Sequence, residues 1–264
     1  MLRFICCNPD GLFWAGDTAQ TISVGSSFRF NDLRAFIHRV DKKRVAEDAS
    51  AIIAHEPPEL FELVVNYRSH GGIVSCAHSI IGLITNFWPD SIDNLAEERG
   101  VVDGGKPVFF TGWEEGNARY DQFLFGSNDN QIEFGARQCI IVRDEESKQR
   151  LREELGREIG VIFTVLEAKG LEFDDVLVFN FFNDSTVSEQ QWRVVLNAIP
   201  EETNGRGSIH APTFDSIRHA GVCADLKSLY VAITRARKNM WIVDRSDKGE
   251  PMRVNGIYLD CVLS

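Results

Sequence analysis

Short apolar runs alternate with amphipathic stretches along most of the chain, and the clearest pair of runs lies near its centre. Residues 161–165 and 176–182 are rich in Val, Ile and Phe and are apolar on both faces, which is typical of buried parallel strands. The polar segment between them is near the minimum length for a crossover and has room for about two helical turns. We therefore predict a tight strand–crossover–strand unit. Its polar segment either meets a ligand at a strand end or forms an ordinary turn.

The same patterns predict the other elements. Strands are predicted at 12–15, 63–65, 108–111, 140–142 and 240–243, and helices at 31–40, 70–88, 145–155, 192–199 and 226–233. Asn31, Ser69 and Asp144 are suited to cap three of these helices. One helical turn is expected at 120–124, and a mobile loop at 200–212. Strand and helix alternate from 108 to 243, which predicts an α/β fold with helices packed on a parallel sheet.

Composition narrows the class of protein. The 264 residues are 44% hydrophobic and carry a net charge of -11, which argues against nucleic-acid binding by bulk charge but leaves room for a local basic groove. The six cysteines form no CxxC pair, which is typical of an intracellular protein of the nucleus or cytoplasm with buried thiols. We expect no metal site, because the spacing of Cys76, His78 and His70 fits no zinc pattern. No apolar run is long enough for a membrane span, and the first residues lack a signal-peptide pattern.

Polar side chains with complementary chemistry follow strands or end helices. They form four groups: Asp17/Gln20, Tyr67/Arg68, Lys169/Glu172 and Arg235/Arg237. Because the carboxyl ends of parallel strands line a common crevice, we expect these groups to meet there. Cations neutralise phosphate charge, a tyrosine ring stacks on a base, and a carboxylate accepts from a ribose hydroxyl. The set suits a nucleoside triphosphate, although each residue also has an ordinary structural role open to it, such as a turn, a helix cap or a half-buried ring.

Four motifs resemble those of one known family. GDTAQ at 16–20, NYRS at 66–69, TVLEAKGLEFD at 164–174 and LYVAITRAR at 229–237 resemble, in the same order, motifs of the UvrD/Rep-like superfamily 1 helicases. The resemblance spans most of the chain, and KGLEFD followed by YVAITRAR is its specific part. More loosely, EAKGLEFDDVLVFNFF at 167–182 is similar to the helicase-like region of large TPR and ankyrin repeat-containing proteins.

The resemblance implies a role for each matching residue. Gln20 would couple the γ-phosphate of ATP to nucleic acid, with Asp17 holding its loop. Tyr67 would stack on adenine and Arg68 would reach the γ-phosphate. Glu172 would meet the ribose beside a loop shaped by Lys169 and Gly170. Arg235 would be the arginine finger, and Thr164 would lie near the nucleic-acid backbone.

The chain departs from the family pattern in two ways. It contains no GxxxxGK[ST] phosphate loop and no strand ending in Asp-Glu before Gly16. In addition, Leu166 stands where the family usually has a His that faces nucleic acid. We therefore expect the missing motifs to precede residue 1. The chain would then comprise the end of a first RecA-like domain (1–58), a strand, long helix and linker (59–106), and a second RecA-like domain of the P-loop NTPase superfamily (107–264) with a mobile insertion near 184–222.

Two hypotheses follow. In the first, the chain is the carboxyl-terminal part of an ATP-dependent DNA helicase that uses ATP and Mg²⁺, acts on single-stranded nucleic acid, with DNA preferred to RNA, and needs the missing first RecA-like domain for activity. In the second, it is a non-catalytic, helicase-derived module that binds a protein or nucleic acid, as the acidic charge and Leu166 favour. A Rossmann-type enzyme is disfavoured, because no GxGxxG follows a strand.

Overall fold

The structure is a computed structural model that describes residues 11–23, 28–47, 59–110, 137–155, 161–198, 211–254 and 262–263. Its main feature is a six-stranded parallel sheet with strand order β5–β4–β6–β7–β3–β8. The strands are β3 (Val108–Phe110), β4 (Gln138–Val142), β5 (Ile162–Thr164), β6 (Phe173–Phe179), β7 (Ala236–Val243) and β8 (Val262–Leu263). The predicted α/β fold with a parallel sheet flanked by helices is therefore confirmed.

Helices cover both faces of this sheet. The α-helices of the described residues are α1 (Phe30–Glu47), α2 (Gly71–Phe87), α3 (Glu145–Leu155), α4 (Val165–Ala168), α5 (Glu189–Trp192), α6 (Ala220–Ile233) and α7 (Glu250–Val254). The predicted helices 70–88, 145–155 and 226–233 correspond to α2, α3 and α6. The 3-10 helix Arg193–Ala198 follows α5 directly, so the helix predicted at 192–199 is split between two helical types.

The core lies on both sides of the sheet because successive residues of a strand point to opposite faces. On one face, Cys139 and Ile141 pack in the larger cluster with α2 and α6. On the other face, Ile140 and Val142 pack with Leu151 of α3. Both faces of β4 are thus buried, which explains why its sequence is a continuous apolar run rather than an alternating one.

Several predicted boundaries differ in the structure. Residues 12–15 belong to no strand, and Phe13 is 96% exposed. The strand predicted at 63–65 is β1 (Val65–Asn66), which pairs in parallel with β2 (Arg99–Gly100) inside the segment predicted as a loop. Ser69 does not cap α2, because its hydroxyl donates to the Ala236 carbonyl at 2.6 Å. Asp144 does cap α3, since its Oδ1 accepts from the Ser147 backbone N–H at 2.9 Å.

The described flanks of the insertion predicted near 184–222 belong to the core. Trp192, Val194 and Val195 are fully buried, and Ser185 accepts a hydrogen bond from the Val187 backbone at 2.9 Å. The weak periodicity of the segment did not reveal this packing, and the mobility of the insertion stays a prediction. Residues 199–210 and the helical turn predicted at 120–124 lie outside the described residues. No helix of the described chain is both long enough and apolar enough to cross a membrane.

Candidate functional site

Most of the predicted site residues gather near the amino ends of β6 and β7. Lys169, Gly170 and Glu172 lie between the end of α4 and Phe173, the first residue of β6, and Arg235 directly precedes β7. For Lys169, Glu172 and Arg235 the expectation of a position at the carboxyl end of a strand is wrong, whereas Tyr67 and Arg68 do follow the carboxyl end of β1. The reason is the short crossover: α4 begins at the carboxyl end of β5, and the chain has returned to the amino edge of the sheet before Glu172.

The segment that carries Tyr67 and Arg68 is held against the start of β7. The His70 backbone N–H donates to the Arg237 carbonyl at 2.9 Å, and the Ser69 hydroxyl donates to the Ala236 carbonyl at 2.6 Å. Asn66 shapes the turn, because its Oδ1 accepts from the backbone N–H groups of Arg68 and Ser69, each at 2.9 Å. This Asx-type turn leaves the Tyr67 ring 82% exposed. The ring is therefore free to stack on a planar ligand.

Arg68 and Glu172 form the open part of the site. The Arg68 Nε donates to Glu172 Oε2 at 2.7 Å, and the two side chains are 41% and 46% exposed. Arg237 approaches the other carboxylate oxygen of Glu172 at 3.6 Å. Because exposed ion pairs contribute only about 0–1 kcal/mol, an anionic or hydroxylated ligand can replace these contacts at little cost.

Arg235 forms the closed part of the site. Its side chain is 1% exposed, and its guanidinium group donates to four acceptors. These are the carbonyls of Val231 at 3.0 Å and Leu171 at 3.1 Å, the Thr234 hydroxyl at 2.9 Å and Gln20 Oε1 at 3.4 Å. Burial, followed by the positive charge of Arg68, lowers the pKa of Arg235 from its usual value.

The GDTAQ segment joins this closed part through its own hydrogen bonds. Asp17 caps the 3-10 helix Thr18–Gln20, because its Oδ1 accepts from the Ala19 N–H at 3.0 Å. Its Oδ2 accepts from Gln20 Nε2 at 2.6 Å and from the Tyr230 hydroxyl at 3.3 Å. The Gln20 amide therefore donates to Asp17 and accepts from Arg235, so both of its ends are fixed. Burial, and next the charge of Asp17, raise the pKa of Tyr230.

Lys169 and Gly170 form the turn that leads into Glu172. Lys169 is the exposed C-cap residue of α4. Gly170 has a φ of 87°, a left-handed conformation that favours glycine. A side chain at this position would meet nothing within 4 Å, so the backbone conformation, and not space, favours glycine here.

Thr164 is the one predicted site residue that the structure does not bring to this group. It pairs in register with Val142, one step past the Ile141–Val178 pair, so it lies level with the carboxyl end of β6. Glu172 precedes the amino end of the same strand, which puts the two about 20 Å apart along the sheet. Thr164 is 6% exposed and caps α4 by accepting from the Glu167 N–H at 3.1 Å.

Three charged residues beside the site were not predicted. Asp174 lies 3.0 Å from Lys238, 3.6 Å from Arg137 and 3.8 Å from Arg237. The hydrogen bond from Lys238 is the main effect that lowers the pKa of Asp174. The sequence signal was weak, because Arg137 and Lys238 lie outside the recognised motifs. Their proximity follows from the pairing of β4, β6 and β7.

The chain is similar to several known proteins. Residues 158–246 match the family model of the UvrD-like helicase C-terminal domain. Over 261 residues the chain is 35% identical to TPR and ankyrin repeat-containing protein 1 from Homo sapiens, and the match covers 91% of this chain and 9% of that protein. The chain thus spans a small part of the length of this relative. Among solved structures, the C-terminal domain of a possible DNA helicase from Lactobacillus plantarum WCFS1 aligns with a TM-score of 0.41 at 18% identity, over 75% of this chain and 98% of that one.

Proposed function

We propose, on the premise that residues 158–246 belong to the UvrD-like helicase C-terminal domain family, that the chain supplies one half of the ATP site of a longer ATP-dependent helicase. The observation that carries the proposal is the meeting of four distant motifs at one edge of the sheet. Arg68 pairs with Glu172 across 104 positions, and Arg235 contacts Gln20 across 215 positions. Polar residues that only stabilise a fold need not bring together an exposed ion pair (Arg68 and Glu172), an exposed ring (Tyr67) and a hydrogen-bonded amide (Gln20).

The residues present fit a nucleoside triphosphate. The exposed Tyr67 ring suits stacking on adenine, Glu172 suits a ribose hydroxyl, and Arg68 suits a terminal phosphate oxygen. Gln20 is oriented by Asp17, as a residue that positions a water or senses a phosphate must be. ATP would supply the free energy for movement. The proposal assigns no metal ligand to this chain, because the described residues hold no cluster of three or more His, Cys, Asp or Glu side chains suited to a metal ion.

Arg235 has a specific place in this proposal. In its present position the guanidinium group satisfies acceptors of its own fold, and its weakest contact is the one to Gln20 at 3.4 Å. We infer that Arg235 and Gln20 exchange this mutual contact for a shared phosphate group when a second domain closes the site. Closure would then act on two residues whose positions are already linked.

The chain alone is proposed to hydrolyse no ATP, because its sequence has no glycine-rich loop to cradle the phosphates. The substrate is proposed to be a single strand of nucleic acid, DNA in preference to RNA. Activity would require the first RecA-like domain, which the chain does not supply.

One experiment tests the enzyme proposal. ATPase activity with and without single-stranded DNA is measured for the 264-residue chain and for a longer polypeptide that adds a first motor domain with an intact phosphate loop. We expect activity only in the longer polypeptide, and its loss on Arg235→Ala. DNA-stimulated ATPase activity of the chain alone that Arg235→Ala abolishes would contradict the proposed division of the site, and a longer polypeptide that binds no ATP would contradict the enzyme proposal itself.

A second candidate function is a non-catalytic interaction module. The observation that favours it is Leu166, which is 60% exposed at the position where the family usually has a nucleic-acid-facing His. In this case the longer polypeptide would bind neither ATP nor its analogues. The Arg235→Lys variant would still fold and would still bind the protein or nucleic-acid partner of the module.

A further inference from the structure

Helix α1 presents a basic surface in an acidic protein. Residues 34–44 hold five Lys or Arg side chains and one Asp, a net charge of +4 in a chain of net charge -11. At about 100° per residue, the exposed cations fall on one half of the helix. This surface, called the basic face below, consists of Arg34, His38, Arg39, Lys42 and Lys43, all of which are exposed.

The basic face points away from the rest of the protein. Ile37 lies on the opposite side of the helix and is the one buried residue of α1, at 5% exposure. Leu33 and Val40, on the same side as Ile37, are half-buried. These three apolar side chains therefore pack on the protein, while the cations and two further apolar residues, Phe36 and Val45, are left to solvent.

Intramolecular partners do not account for these charges. Within the described residues, Arg34, Arg39 and Lys42 have no carboxylate within 4.0 Å, and Lys43 pairs with Glu47 at 3.6 Å with both side chains exposed. Arg39 and Lys43 are four positions apart and so are neighbours on the helix surface, where like charges destabilise a helix. A helix that retains such repulsion is suited to an anionic partner that relieves it.

We propose that the basic face of α1 binds the phosphate backbone of single-stranded nucleic acid. The cations extend over about 14 Å of helix, enough to contact several successive phosphates. A membrane surface is a poorer match, because a helix that lies on a membrane needs a continuous free apolar side to insert, and the exposed apolar residues Phe36 and Val45 lie on opposite sides of α1. The choice of nucleic acid among polyanions rests on the proposed helicase function. An acidic protein segment would be the competing partner.

The attachment of α1 gives this surface a direct link to the nucleotide loop. The Phe30 backbone N–H donates to Asp93 Oδ2 at 2.8 Å, and the Asp93 backbone N–H donates to the Thr18 hydroxyl at 3.1 Å. Thr18 lies between Asp17 and Gln20 in the 3-10 helix. Asp93 thus joins the first turn of α1, which precedes the basic face, to the loop proposed to sense the γ-phosphate.

The test uses the full 264-residue chain and a fluorescein-labelled dT20 oligonucleotide, with anisotropy measured without nucleotide at 25 to 200 mM NaCl. The variant Arg39→Gln/Lys42→Gln removes two cations of the basic face. The matched control, Arg152→Gln/Arg218→Gln, removes two exposed cations elsewhere and changes the net charge equally. We expect the basic-face variant to bind about tenfold more weakly at low salt, with the slope of log K against log salt smaller by about 1.4, since each single-strand phosphate contact contributes about 0.7. The control should match the wild type.

Equal losses in both variants, or no loss in the basic-face variant, would overturn the proposal. Parallel titrations with a polyglutamate peptide and with phosphatidylserine vesicles identify the competing partners. Binding to either that depends on the basic face, without binding to dT20, would also overturn it. The titration contains no nucleotide, so a lack of oligonucleotide binding would not contradict the ATP-site proposal. Likewise, the binding measurement does not depend on an active ATP site.

Discussion

Arg235 and Gln20 are 215 positions apart in the chain, yet their side chains meet, with Arg235 Nη2 3.4 Å from Gln20 Oε1. Gln20 is itself fixed by Asp17 at 2.6 Å. A residue at the start of β7 and a loop near the amino terminus are therefore parts of one hydrogen-bonded group. This group fixes the side chains of the closed part of the site, while Arg68 and Glu172 remain exposed.

Replacing Arg235 should destabilise the chain, and replacing its neighbour Arg237 should not. Arg235→Ala removes a side chain that is 1% exposed and leaves its carbonyl acceptors unpaired, so we expect a loss of about 2–4 kcal/mol in the free energy of unfolding. Arg237→Ala removes a side chain that is 46% exposed and should change it by less than about 0.5 kcal/mol. Urea unfolding followed by circular dichroism measures both. Equal effects would show that the buried hydrogen bonds of Arg235 contribute little to stability.

Tyr67 should matter for nucleotide binding and not for folding. Its ring is 82% exposed, so Tyr67→Ala should leave the melting temperature of the chain unchanged. In the longer polypeptide the same change should weaken the binding of an ATP analogue by about 1–3 kcal/mol, the usual range for base stacking, whereas Tyr67→Phe should bind normally. A Tyr67→Ala variant with full affinity would remove Tyr67 from the proposed adenine site.

The Glu167–Lys148 pair should make stability depend on pH in the acid range. The hydrogen bond from Lys148 at 2.7 Å is the main effect that holds the pKa of Glu167 below its ordinary value of 4.5. Because the folded-state pKa is the lower one, this stabilisation is present above about pH 4.5 and is lost as the pH falls through the folded-state pKa. Glu167→Gln should therefore be less stable than wild type at pH 7, with a smaller difference at pH 3.

The control for this pair is Glu146→Gln. Glu146 also accepts a hydrogen bond from an arginine, Arg150, at 2.7 Å, but its side chain is 84% exposed. Such a pair contributes little, so this variant should follow the wild type at both pH values in urea unfolding. A Glu167→Gln deficit that is the same at pH 7 and pH 3 would contradict the ionic origin of the effect.

Asp93 should hold α1 in place. Asp93→Ala leaves the Phe30 backbone N–H without its acceptor, and we expect a cost of about 1 kcal/mol and faster amide hydrogen exchange throughout α1. Asp90→Ala is the matched control, because both aspartates approach Arg29, Asp93 at 3.6 Å and Asp90 at 3.5 Å, but the Asp90 side chain is 98% exposed. Exchange in α6 should be unchanged in both variants. Unchanged exchange in α1 of Asp93→Ala would rule out Asp93 as the link between α1 and Thr18.

Much of the fold could be predicted because burial leaves a direct mark on sequence. The strands at 108–111, 140–142 and 240–243 are apolar runs that match β3, β4 and the end of β7. The helices α2 and α6 carry apolar residues at helical spacing. The exposed Phe13 and Leu63 misled the prediction at 12–15 and 63–65, because an apolar run is the same in sequence whether or not a partner strand covers it.

The candidate site was predicted as a set of residues but not as a geometry. Asp17, Gln20, Tyr67, Arg68, Glu172 and Arg235 were identified from motif and chemistry, and the structure brings them to one edge of the sheet. The edge itself was assigned incorrectly, and Thr164 was grouped with residues about 20 Å away. Whether the residues after a crossover lie at the amino or the carboxyl edge of the sheet depends on where the crossover helix ends. A four-residue helix such as α4 is too short to produce a clear helical pattern in the sequence.

The sequence by itself determined the parallel α/β architecture, the four motifs and the absence of a phosphate loop, because each of these depends on local pattern or residue identity. Tertiary structure alone decided that Arg235 is buried while Arg68 and Tyr67 are open, that Asp174 lies beside Lys238, and that α1 turns its cations to solvent. These properties depend on which segments pack together over separations of 64 to 215 positions. Burial and the long-range hydrogen bonds are set by contacts between segments, and no single stretch of this sequence contains both partners of such a bond.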